Sequence, residues 1–305
     1  MNRPNSGRQR HRPGVDDISR QLSLAFTTRT IRQLASKSGP WPRDRIAPIV
    51  DLAGTGGTLA DAFDAAYRHL ARGYRCEYVY ANSLTTAAAA RADDVNVISG
   101  LHVCMSIADL VIADQQPAAY EIKTDLDSFA RLELQLHSYG TCFEHVHVVT
   151  SPAKTARAIA DTPVHVGILT LADTGELEVA RPAAGGLDRI ERSAIFRVLR
   201  RAELLSILAR QFGYTPDVPN ALIYQRLHGL FMQLDVETAH REFVTELAQR
   251  DQAKRQAAAA AGLPESLRAA VAGLALTPTA WRRLGALLRR PAADFRSTSI
   301  AAAAV

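Results

Sequence analysis

Three residues whose side chains suit metal-dependent chemistry lie close together in the sequence: Asp109, Glu121 and Lys123. Asp109 lies within an apolar segment, residues 107–112, where an unpaired charge is costly. Glu121 and Lys123 are two positions apart in the next apolar segment, so in a strand their side chains point to the same face. A turn at residues 114–117 would bring the two segments together and place the three side chains in one polar site.

Two convergent carboxylates supply the hard oxygen ligands that Mg²⁺ or Mn²⁺ prefers. A lysine beside them orients water and offsets negative charge that develops on a phosphate. The chain has four lysines against 32 arginines, so a lysine in the middle of a strand indicates a need for a compact charge. The alternative is a structural ion pair between Lys123 and a carboxylate.

The hydrophobic pattern predicts the elements that position these residues. It predicts helices over 16–37 and over 59–91, with a break near Gly73 and Thr58 as the helix N-cap, and a loop or linker over 38–58. A helix over 126–139, a short helix over 153–160 and only helices after 190 follow from the same periodicity. Short apolar, β-branched segments predict strands at 95–99, 101–105, 107–113, 118–124, 145–151, 164–171 and 176–180. We therefore expect an α/β fold with a mixed central sheet flanked by helices.

Charge is unevenly distributed along the chain. Residues 1–48 carry a net charge of +7, residues 49–251 carry −8 and residues 252–305 carry +6, which together give the net charge of +5. Basic segments favour a polyanionic partner such as DNA, although a solvated tail at residues 1–14 explains its charge equally well. In residues 264–290, two short helices and a turn fit either a DNA-reading helix-turn-helix or, as we favour, ordinary bundle helices with exposed arginines.

The order of these motifs resembles the PD-(D/E)XK, or restriction-endonuclease-like, nuclease superfamily. It is similar in particular to a group of bacterial members that carry a RecB-like QxxxY motif. The residues that carry the resemblance are Tyr74–Tyr78, Ala108–Val111, Tyr120–Thr124, Asp127, Arg131, Leu132, Gln135, Tyr139 and Val146–Val149. Ala108 stands where the superfamily name has proline.

The resemblance implies a role for each matching residue. Asp109, Glu121 and Lys123 would be catalytic, with Asp109, Glu121 and the helix residue Glu77 as metal ligands. Lys123 would position the attacking water. Gln135, Arg131 and Tyr139 would bind substrate, although Tyr139 fits the hydrophobic core equally well and Arg131 fits a surface ion pair. The implied division of the chain is a disordered tail, helices and linker at 1–58, a nuclease-like α/β domain at 59–185 and a helical region at 186–305.

Weaker candidates remain outside this set. The glycine-rich run at residues 54–57 lacks the lysine of a phosphate-binding loop and is better explained by a helix start. His145 and His147 share a strand face, but solvent-facing histidines are commoner than a metal pair. Asp125 and Asp127 are expected to cap the following helix.

Composition excludes several classes of protein. Hydrophobic residues make up 47% of the 305 residues and charged residues 22%, which excludes a wholly disordered chain. We found no apolar run of the length that spans a bilayer and no signal-peptide core, and three widely spaced cysteines indicate a reducing, cytoplasmic setting.

Three functional hypotheses follow from the sequence. The first is a Mg²⁺- or Mn²⁺-dependent nuclease that cleaves DNA in phage defence or repair. The second is a catalytically idle nucleic-acid-binding or regulatory protein on the same fold. The third is a nucleotide-binding protein that uses the glycine-rich run. A protein partner or a homodimer through the C-terminal helices is also expected.

Overall fold

A computed structural model describes residues 17–37, 41–54, 56–91 and 95–296 of the chain. Its first part consists of helices that pack against one another. Thr27 caps the second helix, and Thr58 with Asp61 forms a reciprocal capping box at the fourth, as the sequence predicted. The helices are α1 Asp17–Ser23, α2 Thr28–Ala35, α3 Arg43–Ala53, α4 Leu59–Gly73 and α5 Glu77–Arg91, with a 3₁₀ turn at Leu24–Phe26.

The prediction of a loop or linker over residues 38–58 is wrong, because α3 occupies most of that stretch. Pro42 precedes the helix and Gly54 ends it with a φ of 80°, so these two residues mark its ends. Ile46, Ile49 and Val50 lie fully buried on one side of α3. The apolar spacing within the stretch carried the helix signal, and the surrounding glycines and prolines obscured it.

The glycine-rich run joins α3 to α4 and does not follow a strand, as a phosphate-binding loop would. Its backbone is engaged by a distant part of the chain, since Gly57 O accepts a hydrogen bond from Ala292 N at 3.0 Å. Thr58 also forms an isolated antiparallel bridge with Pro291. These contacts favour a structural role for the run over a nucleotide site.

A six-stranded mixed sheet forms the centre, with its strands in sequence order. The first three strands are antiparallel, the third, fourth and fifth are parallel, and the last returns antiparallel. A single strand and a tight turn at Cys104 and Met105 replace the two strands expected over 95–105. The strands are β1 Asn96–Val103, β2 Ser106–Ala113, β3 Ala118–Lys123, β4 His145–Thr150, β5 Gly167–Leu171 and β6 Leu177–Arg181.

Helices after β3 complete the fold and confirm the predicted mixed α/β class with helical flanking regions. They are α6 Leu132–Gly140, α7 Pro152–Asp161, α8 Arg192–Val198, α9 Arg201–Phe212, α10 Asn220–Phe231, α11 Val236–Gln249, α12 Gln252–Ala259, α13 Arg268–Ala272 and α14 Pro278–Leu288, with 3₁₀ turns at Glu265–Leu267 and Ala292–Phe295. None of the described helices is long and apolar enough to cross a membrane.

Two hydrophobic cores lie on opposite faces of the sheet. One core contains Tyr120 and Ile122 of β3 together with α1–α5, α13 and α14. The other contains Ala119 of β3 and packs against α6 and α8–α11. The first and last described segments therefore share a core, although they are far apart in sequence. The division of the chain at residues 58 and 185 stays a prediction.

Helix α6 begins later than the sequence indicated. The predicted helix over 126–139 is wrong at its start, because residues 124–131 form turns and α6 begins at Leu132. Asp127 accepts hydrogen bonds from both the backbone N–H and the hydroxyl of Thr124, at 2.9 and 2.7 Å. Asp127 thus stabilises the turn before the helix and does not cap α6.

Candidate functional site

The side chains of Asp109, Glu121 and Lys123 lie between the sheet and helix α6. The β2–β3 register pairs Leu110 with Tyr120, so Asp109 lies opposite Glu121 on the neighbouring strand. Asp109 Oδ2 accepts a hydrogen bond from the backbone N–H of Ile122 at 2.7 Å. This contact ties the half-buried carboxylate of β2 to β3.

Lys123 forms an ion pair within this site. Its Nζ lies 2.7 Å from Glu121 Oε1 and donates a second hydrogen bond to Gln135 Oε1 at 3.0 Å. The Lys123 side chain is 10% exposed and that of Glu121 only 2% exposed. The structural ion pair that was one alternative for Lys123 is therefore present, and Gln135 of α6 extends it.

Tyr139 closes the site from α6. Its ring is fully buried, as the core interpretation expected, and its hydroxyl lies 2.7 Å from both Glu121 Oε2 and the carbonyl oxygen of Ile107. A hydroxyl has one proton, so it donates to one of these acceptors at a time. Both oxygens of Glu121 are thus engaged by side chains of the protein, one by Lys123 and one by Tyr139.

Burial and a nearby like charge raise the pKa of two groups in the site, Asp109 and Tyr139. Burial, together with the negative charge of Glu121, raises the pKa of Asp109 to about 7, against the opposing hydrogen bond from Ile122 N–H. Loss of water and the nearby charge of Glu121 raise the pKa of the Tyr139 hydroxyl well above its usual value. The hydroxyl therefore stays protonated at neutral pH and acts as a donor.

Glu77 stands at the first position of α5, at the border of the site. Its side chain is exposed at the surface, yet partial loss of water and the charges of Asp127 and Glu121 raise its pKa, while Lys123 lowers it. Glu77 therefore interacts with the site by charge, without a direct hydrogen bond to it among the described contacts. Its proposed role as a metal ligand stays a prediction.

Arg131 stands apart from the network. It is exposed at the N-cap of α6, and no hydrogen bond or ion pair links it to the site residues among the described contacts. The structure therefore brings together Asp109, Glu121, Lys123, Gln135 and Tyr139, leaves Glu77 at the border and leaves Arg131 outside.

The donor set tests the expectation of Mg²⁺ or Mn²⁺. Such ions take about six oxygen ligands near 2.1 Å. Within the described part of the chain, no group of three or more His, Cys, Asp and Glu side chains is placed to hold a metal ion. Since Lys123 and Tyr139 already occupy both oxygens of Glu121, the residues as arranged do not fit a divalent cation. Magnesium binding stays a prediction. In the structure, Lys123 supplies the positive charge beside the Glu121 carboxylate.

His147, one of the two strand histidines, has a different environment from the one expected. His147 is half-buried and stacks on the ring of Tyr120, with ring centroids 4.9 Å apart and an interplanar angle of 12°. Burial, together with the nearby positive charges of His145 and Arg91, lowers the pKa of His147 to about 4. His147 is therefore neutral at physiological pH, and the solvent-facing interpretation does not hold for it.

Sequence reasoning missed Lys154, which supports the segment between β3 and α6. Its Nζ donates hydrogen bonds to the carbonyl oxygens of Thr124 and Asp127, both at 2.6 Å. The scarcity of lysine that singled out Lys123 applies equally to Lys154 and would have identified it. Asp125, expected to cap a helix, instead accepts a hydrogen bond from Ser151, the N-cap residue of α7.

Comparison with known proteins gives one family. The sequence model of the family described as "Bacteriophage P4 protein cII" matches residues 81–264. The curated protein "Protein cII" of Enterobacteria phage P4 is 28% identical over 145 residues, which cover 47% of this chain and 54% of the relative. The match thus spans about half the length of that relative. No solved structure matches the chain.

These comparisons overturn the prediction of a metal-dependent deoxyribonuclease. The matching family and relative are phage P4 cII proteins and not nucleases, so the descriptions nuclease, endonuclease and hydrolase do not hold for this chain. The closed arrangement of Glu121, Lys123 and Tyr139 gives a physical account of the correction, because the strand carboxylate and lysine satisfy each other. The resemblance to the PD-(D/E)XK superfamily stays a prediction. Because the family model matches more than half of the residues of this chain, the chain belongs to the bacteriophage P4 protein cII family.

Proposed function

We propose that this protein is a regulatory protein that binds nucleic acid and does not cleave it. The observation that carries the proposal is the closed hydrogen-bond network in which Lys123 and Tyr139 donate to the two oxygens of Glu121 and Lys123 donates also to Gln135. Membership of the phage P4 cII family supports the same conclusion.

The chemistry of hydrolysis explains why this network argues against cleavage. A metal-assisted phosphodiesterase needs carboxylate oxygens with open coordination positions and a group that holds the attacking water. Here the two oxygens of Glu121 each accept a hydrogen bond, and Lys123 uses two of its three N–H donors within the protein. Asp109 is only partly ionised at neutral pH, because its pKa lies at about 7.

The distribution of charge supports nucleic acid as the ligand. The net charges of +7 over residues 1–48 and +6 over residues 252–305 suit the phosphate backbone, whereas the central −8 repels it. Binding is therefore expected to depend on the flanking basic segments and to weaken as salt rises. A protein partner, a homodimer through the C-terminal helices and a cytoplasmic location stay predictions.

A paired binding and cleavage assay tests the proposal. The purified protein is incubated with linear duplex, circular duplex and single-stranded DNA, each with Mg²⁺, with Mn²⁺ or with a chelator. We expect salt-dependent binding under all conditions and intact DNA throughout. Asp109→Ala is the matched control, since cleavage that persists in this variant would come from a contaminant. Metal-dependent cleavage by the wild type that Asp109→Ala abolishes would refute the proposal, and so would an absence of nucleic-acid binding.

A further inference from the structure

The two basic segments of the chain meet in one part of the fold. Helix α14 packs against α2, and the Arg283 guanidinium donates a hydrogen bond to the carbonyl oxygen of Ala35 at 2.7 Å. Residues 18–43 and 266–293 contain no aspartate or glutamate, although each segment carries five arginines or lysines. The contact between α2 and α14 therefore creates a surface with cations from both segments and no carboxylate from either helix.

Helix α14 divides cleanly into a buried and an exposed side. Trp281, Leu284, Gly285 and Leu288 are buried, and the tryptophan is only 1% exposed. The exposed residues Thr279, Arg282, Ala286 and Arg289 follow a spacing of three, four and three positions, which aligns them along one side of the helix. This exposed stripe carries two arginines, and the small Ala286 between them permits close approach of a partner.

Four arginines of this surface have no acidic partner in the part of the chain that the structure describes. Arg29 and Arg32 of α2 are exposed, as are Arg282 of α14 and Arg289, the C-cap residue of that helix. Among the residues that the structure describes, none of these four arginines forms an ion pair, whereas Arg290 pairs with Asp294 at 2.8 Å. The four guanidinium groups can therefore meet phosphate or base edges without first breaking a salt bridge.

A short connection joins α13 to α14, as a helix-turn-helix requires. Helix α13 is packed against α5, a turn covers residues 273–277, and Thr277 caps α14 by accepting a hydrogen bond from Ala280 N at 3.2 Å. In such motifs the second helix enters the major groove and the first crosses behind it. The sequence favoured bundle helices here, and the buried side of α14 fits that description. The exposed stripe of α14 makes no contact with the core and is open to a ligand.

We propose that α14 is a recognition helix that binds in the major groove of duplex DNA, with Arg29 and Arg32 of α2 contacting the phosphate backbone. This inference rests on the proposed nucleic-acid-binding function and names its surface and its substrate class. An α-helix with its side chains is about 10–12 Å in diameter and fits the major groove, which is about 12 Å wide. Arginine on the exposed stripe suits guanine edges, and Thr279 suits either base or phosphate.

The absence of exposed aromatic residues on these two helices favours duplex over single-stranded ligands. Proteins that hold single strands stack bases on exposed aromatic side chains. Within α2 and α14 the one aromatic residue is Trp281, and it is buried in the core. Duplex DNA presents its phosphates and groove edges without any need for stacking.

Fluorescence anisotropy with labelled DNA tests the assignment. The double variant Arg282→Ala/Arg289→Ala is compared with the wild type on a 30-base-pair duplex and on the matching single strand, across a salt series. The matched control is Arg201→Ala/Arg241→Ala, which removes two exposed arginines from α9 and α11. We expect the first double variant to lose about 10- to 100-fold in duplex affinity, with little change in salt slope because these arginines are assigned to base edges. The control should change little.

The outcomes separate this inference from the proposed function. If the wild type binds no DNA or RNA, the proposed function fails and the inference fails with it. If the wild type binds DNA but Arg282→Ala/Arg289→Ala loses no more duplex affinity than Arg201→Ala/Arg241→Ala does, only the inference fails. Tighter binding of single-stranded DNA or RNA than of duplex would also overturn it. Circular dichroism melting of each variant tests whether lost binding reflects lost folding. Because all four substituted arginines are exposed, we expect each variant to melt at the wild-type temperature.

Discussion

Replacement of Lys123 by methionine measures how strongly the buried network depends on its cation. Methionine keeps the length and apolar stem of lysine but leaves Glu121 with no positive partner. The two charged atoms lie 2.7 Å apart, and the Glu121 side chain is only 2% exposed. At an effective dielectric constant of about 20, the attraction at this distance is about 6 kcal/mol. Since relaxation and protonation offset part of this, we expect a loss of about 3–5 kcal/mol in the free energy of unfolding.

Urea unfolding followed by circular dichroism measures this loss, and thermal unfolding gives a second estimate. An unfolding entropy of about 2.1 cal/mol/K per residue gives about 0.6 kcal/mol/K for a chain of 305 residues. The expected decrease in melting temperature is therefore about 5–8 °C. Adding Glu121→Gln to Lys123→Met removes the stranded charge, so the double variant should recover most of the loss.

Lys254→Met provides the matched control. Lys254 also forms a close ion pair, with its Nζ 2.6 Å from Asp251 Oδ1, but its side chain is 46% exposed. A solvated pair contributes about 0–1 kcal/mol, so this variant should change stability little. Equal losses for Lys123→Met and Lys254→Met would refute the view that burial makes the Lys123 pair important. A double variant as unstable as Lys123→Met alone would show that shape, and not charge, explains the loss.

Three further substitutions test separate parts of the structure. Asp109→Asn should remove a pH dependence of stability. The raised pKa of Asp109 means that the folded state holds the proton more tightly than the unfolded state, so wild-type stability falls as pH rises from about 4 to about 7. The urea midpoints at pH 5 and pH 8 should therefore differ less in the variant than in the wild type. Parallel pH profiles would contradict this. Tyr139→Phe leaves Glu121 short of a buried donor and should cost about 1–3 kcal/mol in urea unfolding at neutral pH, against no measurable change for the exposed Tyr224→Phe. Thr58→Ala breaks the capping box of α4 and should cost about 0.5–2 kcal/mol in the same assay; a loss no larger than that of an exposed mid-helix substitution would argue against the cap.

Local patterns were sufficient to predict most of the central sheet. The apolar, β-branched segments around Asp109 and Glu121 gave strands in the right places, and the capping residues at Thr58 marked the start of α4 correctly. Prediction was wrong where two local signals competed. In α3, the glycines and prolines at residues 39–42 and the glycine-rich run outweighed an apolar spacing that burial against α4 makes evident. Before α6, the side chain of Asp127 stabilises a turn that the helical periodicity could not exclude.

The strand residues that meet at the site were predictable from the sequence, but their connections were not. The two-residue spacing of Glu121 and Lys123 correctly placed both side chains on one face. The hydrogen bond from Tyr139 to Glu121 depends on the strand register and on how α6 docks against the sheet, and neither is encoded within a short window. The same limit applied to the surface between α2 and α14, because the charge of each segment can be read from the sequence but their contact cannot.

The contact between α2 and α14 also constrains when the protein can finish folding during synthesis. The hydrogen bond from Arg283 to Ala35 joins residues that are 248 positions apart. At about 5–20 residues per second, a ribosome takes about 10–50 s to make the intervening chain. Throughout that interval the apolar sides of α1–α4 lack the helices that cover them, so these segments are exposed to misassociation and to chaperones. Contacts of such long range also slow refolding of the complete chain, since loop closure must precede them. We therefore expect the yield of folded protein to depend on translation rate and chaperone supply more than its equilibrium stability suggests.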